Sequence, residues 1–131
     1  MKKLSIAIGV MLIVAASAIV TFGQKPTRIT FKRGATSTVV TGTLNGCKGE
    51  RTYVIRVRKG QVLSTGNVGR HHITVLVEAP KGVDWEQDMD MSCHSVVEVD
   101  PTAAGDYKIT VTECLKADPF RGRFKLKITV K

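Results

Sequence analysis

The sequence predicts an all-β fold: a two-sheet antiparallel β-sandwich of about eight strands that follows an N-terminal signal segment. Three observations lead to this prediction. Apolar and polar residues alternate with period two in several short stretches, turn residues separate these stretches, and no stretch has the spacing of an amphipathic helix. Because each strand then has one apolar face, two sheets packed face to face bury those faces most simply.

The N-terminus has the three-part layout of a secretory signal peptide. Lys2 and Lys3 supply the positive charge, residues 4–20 form an uncharged apolar run, and small residues at 16–18 and 21–23 offer cleavage sites. The uncharged stretch is also about long enough to span a bilayer, so an uncleaved membrane anchor stays open as the alternative.

Cleavage near residue 23 would leave residues 24–131 as one β-sandwich domain, located in the periplasm or secreted. The full chain has 20 basic and 11 acidic residues, and without the two N-terminal lysines 18 basic residues remain against 11 acidic ones, a net charge near +7. Such a domain is suited to anionic glycans, lipid head groups or an acidic protein surface. Nucleic acid is a poor partner, because the location is wrong and no basic stretch is interleaved with several aromatic residues.

Alternation defines five of the strands. Their apolar positions are Ile29 and Phe31; Tyr53, Ile55 and Val57; Ile73, Val75 and Val77; Tyr107, Ile109 and Val111; and Phe124, Leu126, Ile128 and Val130. Turn residues such as Asn45-Gly46 and Lys59-Gly60 bound the other three. In chain order, the eight predicted strands are 28–32, 37–44, 51–59, 61–66, 72–79, 93–99, 106–114 and 123–130.

The three cysteines allow one disulfide in an oxidising compartment. If successive strands run up and down the sandwich, Cys93 at the start of the sixth strand and Cys114 at the end of the seventh lie at the same end. Cys47 then lies at the opposite end. We therefore predict a Cys93–Cys114 disulfide and a free Cys47.

Several phrases of this sequence resemble a known family. They are ITFKRGATS at 29–37, VTGTL at 40–44, YVIRVRKGQVL at 53–63, AGDYKITV at 104–111 and FKLKITV at 124–130. Together they look like the periplasmic inhibitors of goose-type lysozyme, within the broader group of bacterial prepeptidase C-terminal-like β-sandwich domains. Tyr53 and Tyr107 are expected to point inward in this fold, with each phenol reaching a partner at an end of the sandwich.

The resemblance implies an inhibitor that blocks the active-site cleft of a lysozyme with basic residues of the connection before the last strand, residues 115–123. Arg121 is the first candidate for a cleft carboxylate, because a guanidinium forms forked, charge-assisted hydrogen bonds. Arg123 and Lys116 would assist, and Phe120 would be an apolar anchor. The alternative for this stretch is a solvated connection with ordinary surface charge.

Other groups of residues predict little chemistry. His71 and His72 are adjacent, so on a strand they point to opposite faces and do not easily share a metal ion. The acidic segment 84–90 does not have the spacing of an EF-hand loop and is interpreted as solvated, with calcium binding as the alternative and with Trp85 at the core or its rim. No activated nucleophile is evident, so we expect neither an enzyme nor a cofactor.

Two functions from different classes follow. The first is an exported inhibitor of a lysozyme, with the lysozyme as protein partner. The second is a non-enzymatic prepeptidase-type binding module that holds cell-surface protein or glycan, including cell-wall glycan. A membrane contact is expected only if the signal segment remains uncleaved, and a structural envelope protein without a dissociable ligand stays open as a third possibility.

Overall fold

The structure is a computed structural model that describes residues 25–46, 49–88, 93–114 and 121–131. The predicted signal segment, residues 1–23, lies outside this part of the chain. The strands are β1 Thr27–Ile29, β2 Ser37–Asn45, β3 Glu50–Val57, β4 Leu63–Asn67, β5 Ile73–Glu78, β6 Val97–Val99, β7 Gly105–Glu113 and β8 Arg121–Val130. Within the described ranges, no helix has the length and apolar character needed to cross a bilayer.

The strands form two sheets of four, which confirms the predicted sandwich. The first sheet has the order β1-β3-β7-β5 and the second has the order β2-β8-β4-β6. One pairing departs from the antiparallel expectation, because β1 and β3 are parallel, with Thr27 opposite Tyr53. The physical reason is that β2, between them in the chain, belongs to the other sheet. The chain therefore crosses between the sheets and returns to β3 in the direction of β1.

Alternating side chains fill the space between the sheets, as the sequence predicts. The fully buried residues include Tyr107, Phe124, Leu44, Leu63, Ile73, Ile109, Leu126, Ile128, Val75, Val99 and Val111. Tyr53 also points inward and meets Phe124 edge to face, with ring centroids 6.5 Å apart. The phenol of Tyr107 accepts a hydrogen bond from the backbone N–H of Ala103 at 3.1 Å, which confirms the inward orientation expected for this tyrosine.

The largest shortfalls from the predicted strands are in the first and the sixth. β1 ends at Ile29 instead of residue 32, because Lys32 begins a turn in which its carbonyl accepts from the N–H of Ala35. The predicted strand 93–99 is a strand only at Val97–Val99, and Cys93 has a φ of 67°, a conformation that a β-strand does not contain.

The connections β2–β3, β4–β5 and β7–β8 meet at one end of the sandwich. There, Asn45 is opposite Arg121 in the second sheet, and Glu50 is opposite Thr112 in the first. The short β2–β3 connection joins the two sheets, with the N–H of Gly49 donating to the carbonyl of Gly46. We call this the disulfide end, and the other end, where β3 and β5 finish, the opposite end.

The predicted Cys93–Cys114 disulfide is confirmed, with the two Cα atoms 4.5 Å apart. Cys93 is held beside the start of β5, where its N–H donates to the Thr74 hydroxyl at 2.9 Å. The next carbonyl, that of His94, accepts from the N–H of Val75.

The up-and-down reasoning that excluded Cys47 from this disulfide is wrong. After β5 the chain turns back along the edge of that strand, where the side-chain amide of Gln87 bonds the N–H of Val77 and the carbonyl of Val75. The simple up-and-down alternation is therefore lost, and the residues that flank Cys47 lie at the disulfide end as well. Cys47 itself lies outside the described residues.

Candidate functional site

Arg121 and Arg123 belong to β8 and not to the preceding loop. The strand begins two residues earlier than predicted because β2 extends to Asn45 and gives both arginines a partner: Asn45 is opposite Arg121, and Thr43 is opposite Arg123. Both arginines are exposed, on the outer face of the second sheet. The other two predicted contact residues, Lys116 and Phe120, lie outside the described residues, as does most of the 115–123 connection.

The two arginines begin a longer row of basic side chains. Phe124, Leu126, Ile128 and Val130 face the core, so the residues between them face outward. The outward positions carry Arg121, Arg123, Lys125 and Lys127, all of them exposed. Residues two apart on a strand are separated by about 6.8 Å, so four such positions span about 20 Å. We call these four residues the basic row.

Small uncharged side chains flank the basic row on the β2 side. Thr43 and Thr41 are opposite Arg123 and Lys125, and Val39 is opposite Lys127. On the other side Gly66 of β4 is opposite Lys127, and the N–H of Val68 donates to the carbonyl of Lys125 at 3.1 Å. The row therefore lies on an interior strand of the second sheet, with small residues on both sides of it.

The chain after β4 forms a pocket beside the row. Its volume is about 320 Å³, and its lining residues are Val68, Gly69, Arg70, His71, Arg123 and Lys125. Gly69 allows this close approach, because a Cβ at that position would lie 3.2 Å from the backbone nitrogen of Lys125. Three of the lining residues, Arg70, Arg123 and Lys125, are cationic, so the pocket is suited to an anionic group.

The outer face of the first sheet has a different charge arrangement. Arg28 donates two hydrogen bonds to the carboxylate of Asp106, at 3.1 and 2.9 Å, and Lys108 lies 3.6 Å from the carboxylate of Glu78. The hydrogen bond from Arg28 is the main reason that the pKa of Asp106 is lowered, with smaller contributions from the charges of Arg28 and Arg56. Positive charge on this face is therefore offset by neighbouring acids.

A second recess lies at the seam between the two sheets, where β1 and β3 meet β2. It has a volume of about 500 Å³ and is lined by Lys25, Thr27, Thr41, Gly42, Thr43, Arg51, Thr52 and Tyr53. The Nε of Arg51 donates to the carbonyl of Thr43 across the seam at 3.1 Å. Burial raises the pKa of the Tyr53 phenol, so this hydroxyl remains neutral at physiological pH.

The other residues singled out in the sequence analysis have a structural role or no evident role. Trp85 packs against the core, as expected for a residue at its rim. Asp84, Glu86 and Asp88 are exposed, and the rest of the acidic segment, residues 89 and 90, lies outside the described residues. His71, His72 and His94 are exposed, Cys93 is in the disulfide, and the described residues contain no cluster of three or more metal-ligating side chains.

Sequence reasoning confined the candidate site to the 115–123 connection and missed Arg70, Lys125 and Lys127. The outward direction of the two lysines was available from the alternation of the last strand. Arg70 had no such signal, because only the path of the β4–β5 connection brings it beside Arg123.

Solved structures with the same fold include inhibitors of lysozyme. Aeromonas hydrophila PliG, a periplasmic lysozyme inhibitor of g-type lysozyme, matches with a TM-score of 0.63 and 18% identity, over 81% of this chain and 96% of PliG. Salmonella Typhimurium PliG, also a periplasmic inhibitor of g-type lysozyme, matches with a TM-score of 0.60 and 18% identity, over 83% of this chain and all of that one, 100%.

A pre-peptidase C-terminal domain of a Bacillus anthracis collagenase aligns with a TM-score of 0.48 and 17% identity, over 83% of this chain and 97% of that domain. No protein-family model matches the sequence. No curated protein matches it either. At identities of 18%, the likeness to the two inhibitors establishes that this chain shares their fold, the fold of the family that the sequence phrases resemble.

Proposed function

We propose that this chain is an exported inhibitor of a goose-type lysozyme, acting in the periplasm or after secretion. The observation that carries the proposal is the likeness of the whole β-sandwich to two inhibitors of g-type lysozyme, each of which is covered almost completely. The phrases spread from residue 29 to residue 130 add support at the level of sequence, because they resemble the same family.

The proposed contact is made by the disulfide end. Arg121 is the first residue of β8 and lies at this end, and Arg123 follows on the same exposed face. Glycoside hydrolases of this kind work with carboxylates in a groove, and a guanidinium can bond both oxygens of one carboxylate. Lys116 and Phe120 would add a further charge and an apolar contact from the adjoining connection.

The fold explains how a short contact segment would be presented. Arg121 is held in register by pairing with Asn45, and the strand behind it is anchored by the buried Phe124. A rigid backbone lowers the conformational entropy that is lost on binding. Blocking a cleft needs no chemistry from the inhibitor, which agrees with the expectation that the chain is not an enzyme.

A wall-lysis assay tests the proposal directly. The mature chain should slow lysis by a goose-type lysozyme at a near-stoichiometric ratio. If neither goose-type, chicken-type nor invertebrate-type lysozyme is slowed, the proposal is wrong.

Replacing both arginines tests the contact. The double variant R121A/R123A should raise the inhibition constant at least about tenfold, because each charge-assisted hydrogen bond is worth about 1.5–3 kcal/mol. The matched control is K59A/K81A, which removes two exposed charges at the opposite end. Equal potency of R121A/R123A and wild type, with both proteins folded by circular dichroism, would exclude these arginines from the contact.

A further inference from the structure

We propose that the basic row binds a linear anionic polysaccharide, a chain that carries sulfate, phosphate or carboxylate groups at regular intervals. The site consists of Arg121, Arg123, Lys125 and Lys127 on β8 together with the pocket that Arg70 completes. The proposed lysozyme contact includes neither of the two lysines, so this site extends beyond that contact while sharing Arg121 and Arg123 with it.

The first argument is the difference in charge between the two faces of the sandwich. Strand residues on the outer face of the first sheet include three acids and three bases: Glu50, Glu78, Asp106, Arg28, Arg56 and Lys108. On the outer face of the second sheet the strands carry four bases and one acid: Arg121, Arg123, Lys125, Lys127 and Glu98. Among the strand residues, the net positive charge is therefore concentrated on the outer face of the second sheet.

The second argument is that this concentration does not stabilise the fold. Like charges about 6.8 Å apart on one strand repel each other, and a carboxylate between them would relieve the repulsion. The flanking positions on β2 instead carry uncharged residues, Thr43, Thr41 and Val39. On the first sheet, by contrast, Arg28 and Lys108 each have a carboxylate partner. A bound polyanion would supply the negative charge that these described flanking positions do not provide.

The third argument is the shape of the site. The cations form a single line about 20 Å long, so they match a ligand that is one chain wide and carries repeated charges. Hydroxyl groups of Thr41 and Thr43 border the line and can bond sugar hydroxyls. The 320 Å³ pocket beside Arg123 and Lys125 has room for one charged substituent, which Arg70 would also contact.

These features favour a polysaccharide over a lipid surface. Lipid head groups form a two-dimensional array, and proteins that dock on them usually add apolar or aromatic side chains that enter the interface. In the strands of this sheet the described outer-face residues include no aromatic side chain, and the apolar one is Val39; the exposed apolar residue of the pocket is Val68. Binding to anionic vesicles in preference to a polysaccharide would contradict the proposal.

Binding to heparin, a linear sulfated polysaccharide, is the experiment. The variant K125Q/K127Q leaves Arg121 and Arg123 in place, and K59Q/K81Q removes the same net charge at the opposite end. Titration calorimetry with the whole mature chain should show affinity at least about tenfold weaker for K125Q/K127Q and within about twofold of wild type for K59Q/K81Q. The slope of log affinity against log salt should fall by about one to two for the first variant, as it does when cation–phosphate contacts are removed.

Three results would overturn the proposal. They are an equal loss in the two variants, which would mean that net charge alone matters; no heparin binding by the wild-type chain at about 100 mM salt; and stronger binding to vesicles that contain anionic lipid. The assay contains no lysozyme, so its outcome does not depend on whether the protein inhibits one. Lysozyme inhibition by K125Q/K127Q should be weakened less than inhibition by R121A/R123A, because the two lysines lie outside the proposed lysozyme contact, and this keeps the two roles distinguishable.

Discussion

At the residue scale, one glycine controls how two of the inner aromatic side chains, Tyr53 and Phe124, pack. A Cβ at Gly42 would lie 2.6 Å from the ring of Phe124 and 3.0 Å from the hydroxyl of Tyr53. Phe124 is fully buried and meets Tyr53 edge to face, so its ring cannot move away without disturbing the core. Gly42 is thus required by its neighbours and not by its own backbone.

We expect G42A to lower the free energy of unfolding by about 1–3 kcal/mol, the usual cost of overpacking a core. Gly66 is the matched control, because it is also a strand glycine of the second sheet and a Cβ there meets nothing within 4 Å. G66A should therefore change stability by less than about 1 kcal/mol. Urea unfolding followed by tryptophan fluorescence measures both. Similar stability of the two variants would show that Phe124 and Tyr53 rearrange easily.

Sequence alone predicted the inward residues but not this contact. Tyr53 and Phe124 occupy apolar positions of alternating stretches, so their direction follows from period two. That they meet each other across Gly42 depends on the pairing of β2 with β8, in which Gly42 is opposite Phe124. Strand pairing brings together residues that are far apart in the chain, and local sequence patterns do not indicate which residues pair.

At the element scale, the predicted strand bounds were accurate where a cleanly alternating stretch is flanked on both sides by turn residues. β5 and β7 alternate cleanly between turn residues, and their observed bounds lie within one residue of the predicted ones. The prediction of the sixth strand was wrong at residues 93–96. These residues follow β5 through backbone contacts, such as the hydrogen bond from the N–H of Val75 to the carbonyl of His94, which no side-chain pattern predicts. The early start of β8 likewise depends on the length of β2.

The disulfide fastens the start of β5 to the end of β7. It closes a segment with a sequence separation of 21 residues, for which chain entropy predicts a stabilisation of about 3 kcal/mol. C93A/C114A should lose about that much free energy of unfolding in guanidinium titrations. C47A is the control, since the disulfide does not include that cysteine, and it should retain an intact bridge in mass mapping. Unchanged stability of C93A/C114A would mean that the unfolded chain gains little freedom when the bridge is removed.

At the scale of the whole molecule, the topology determines which charged residues lie close together. The disulfide end gathers the β2–β3, β4–β5 and β7–β8 connections, which brings Arg70 beside the arginines at the start of β8. Neighbouring acids offset the strand bases of the first sheet, so the net positive charge of the strands lies on the second sheet. Composition predicted a basic domain, but only the topology shows that the strand bases collect on the second sheet.

This arrangement predicts electrostatic steering, a prediction that rests on the proposed inhibition. Raising the salt concentration from about 10 mM to about 150 mM shortens the screening length from about 30 Å to about 8 Å, so the association rate with a goose-type lysozyme should fall. R70Q should lower that rate several-fold at low salt, because Arg70 lies at the approaching end without being a proposed contact residue. K59Q removes the same charge at the opposite end and should have a smaller effect. Stopped-flow or surface-binding kinetics can compare the two variants, whose rates should converge at high salt. Equal rates at low salt would mean that net charge, and not its position, governs the encounter.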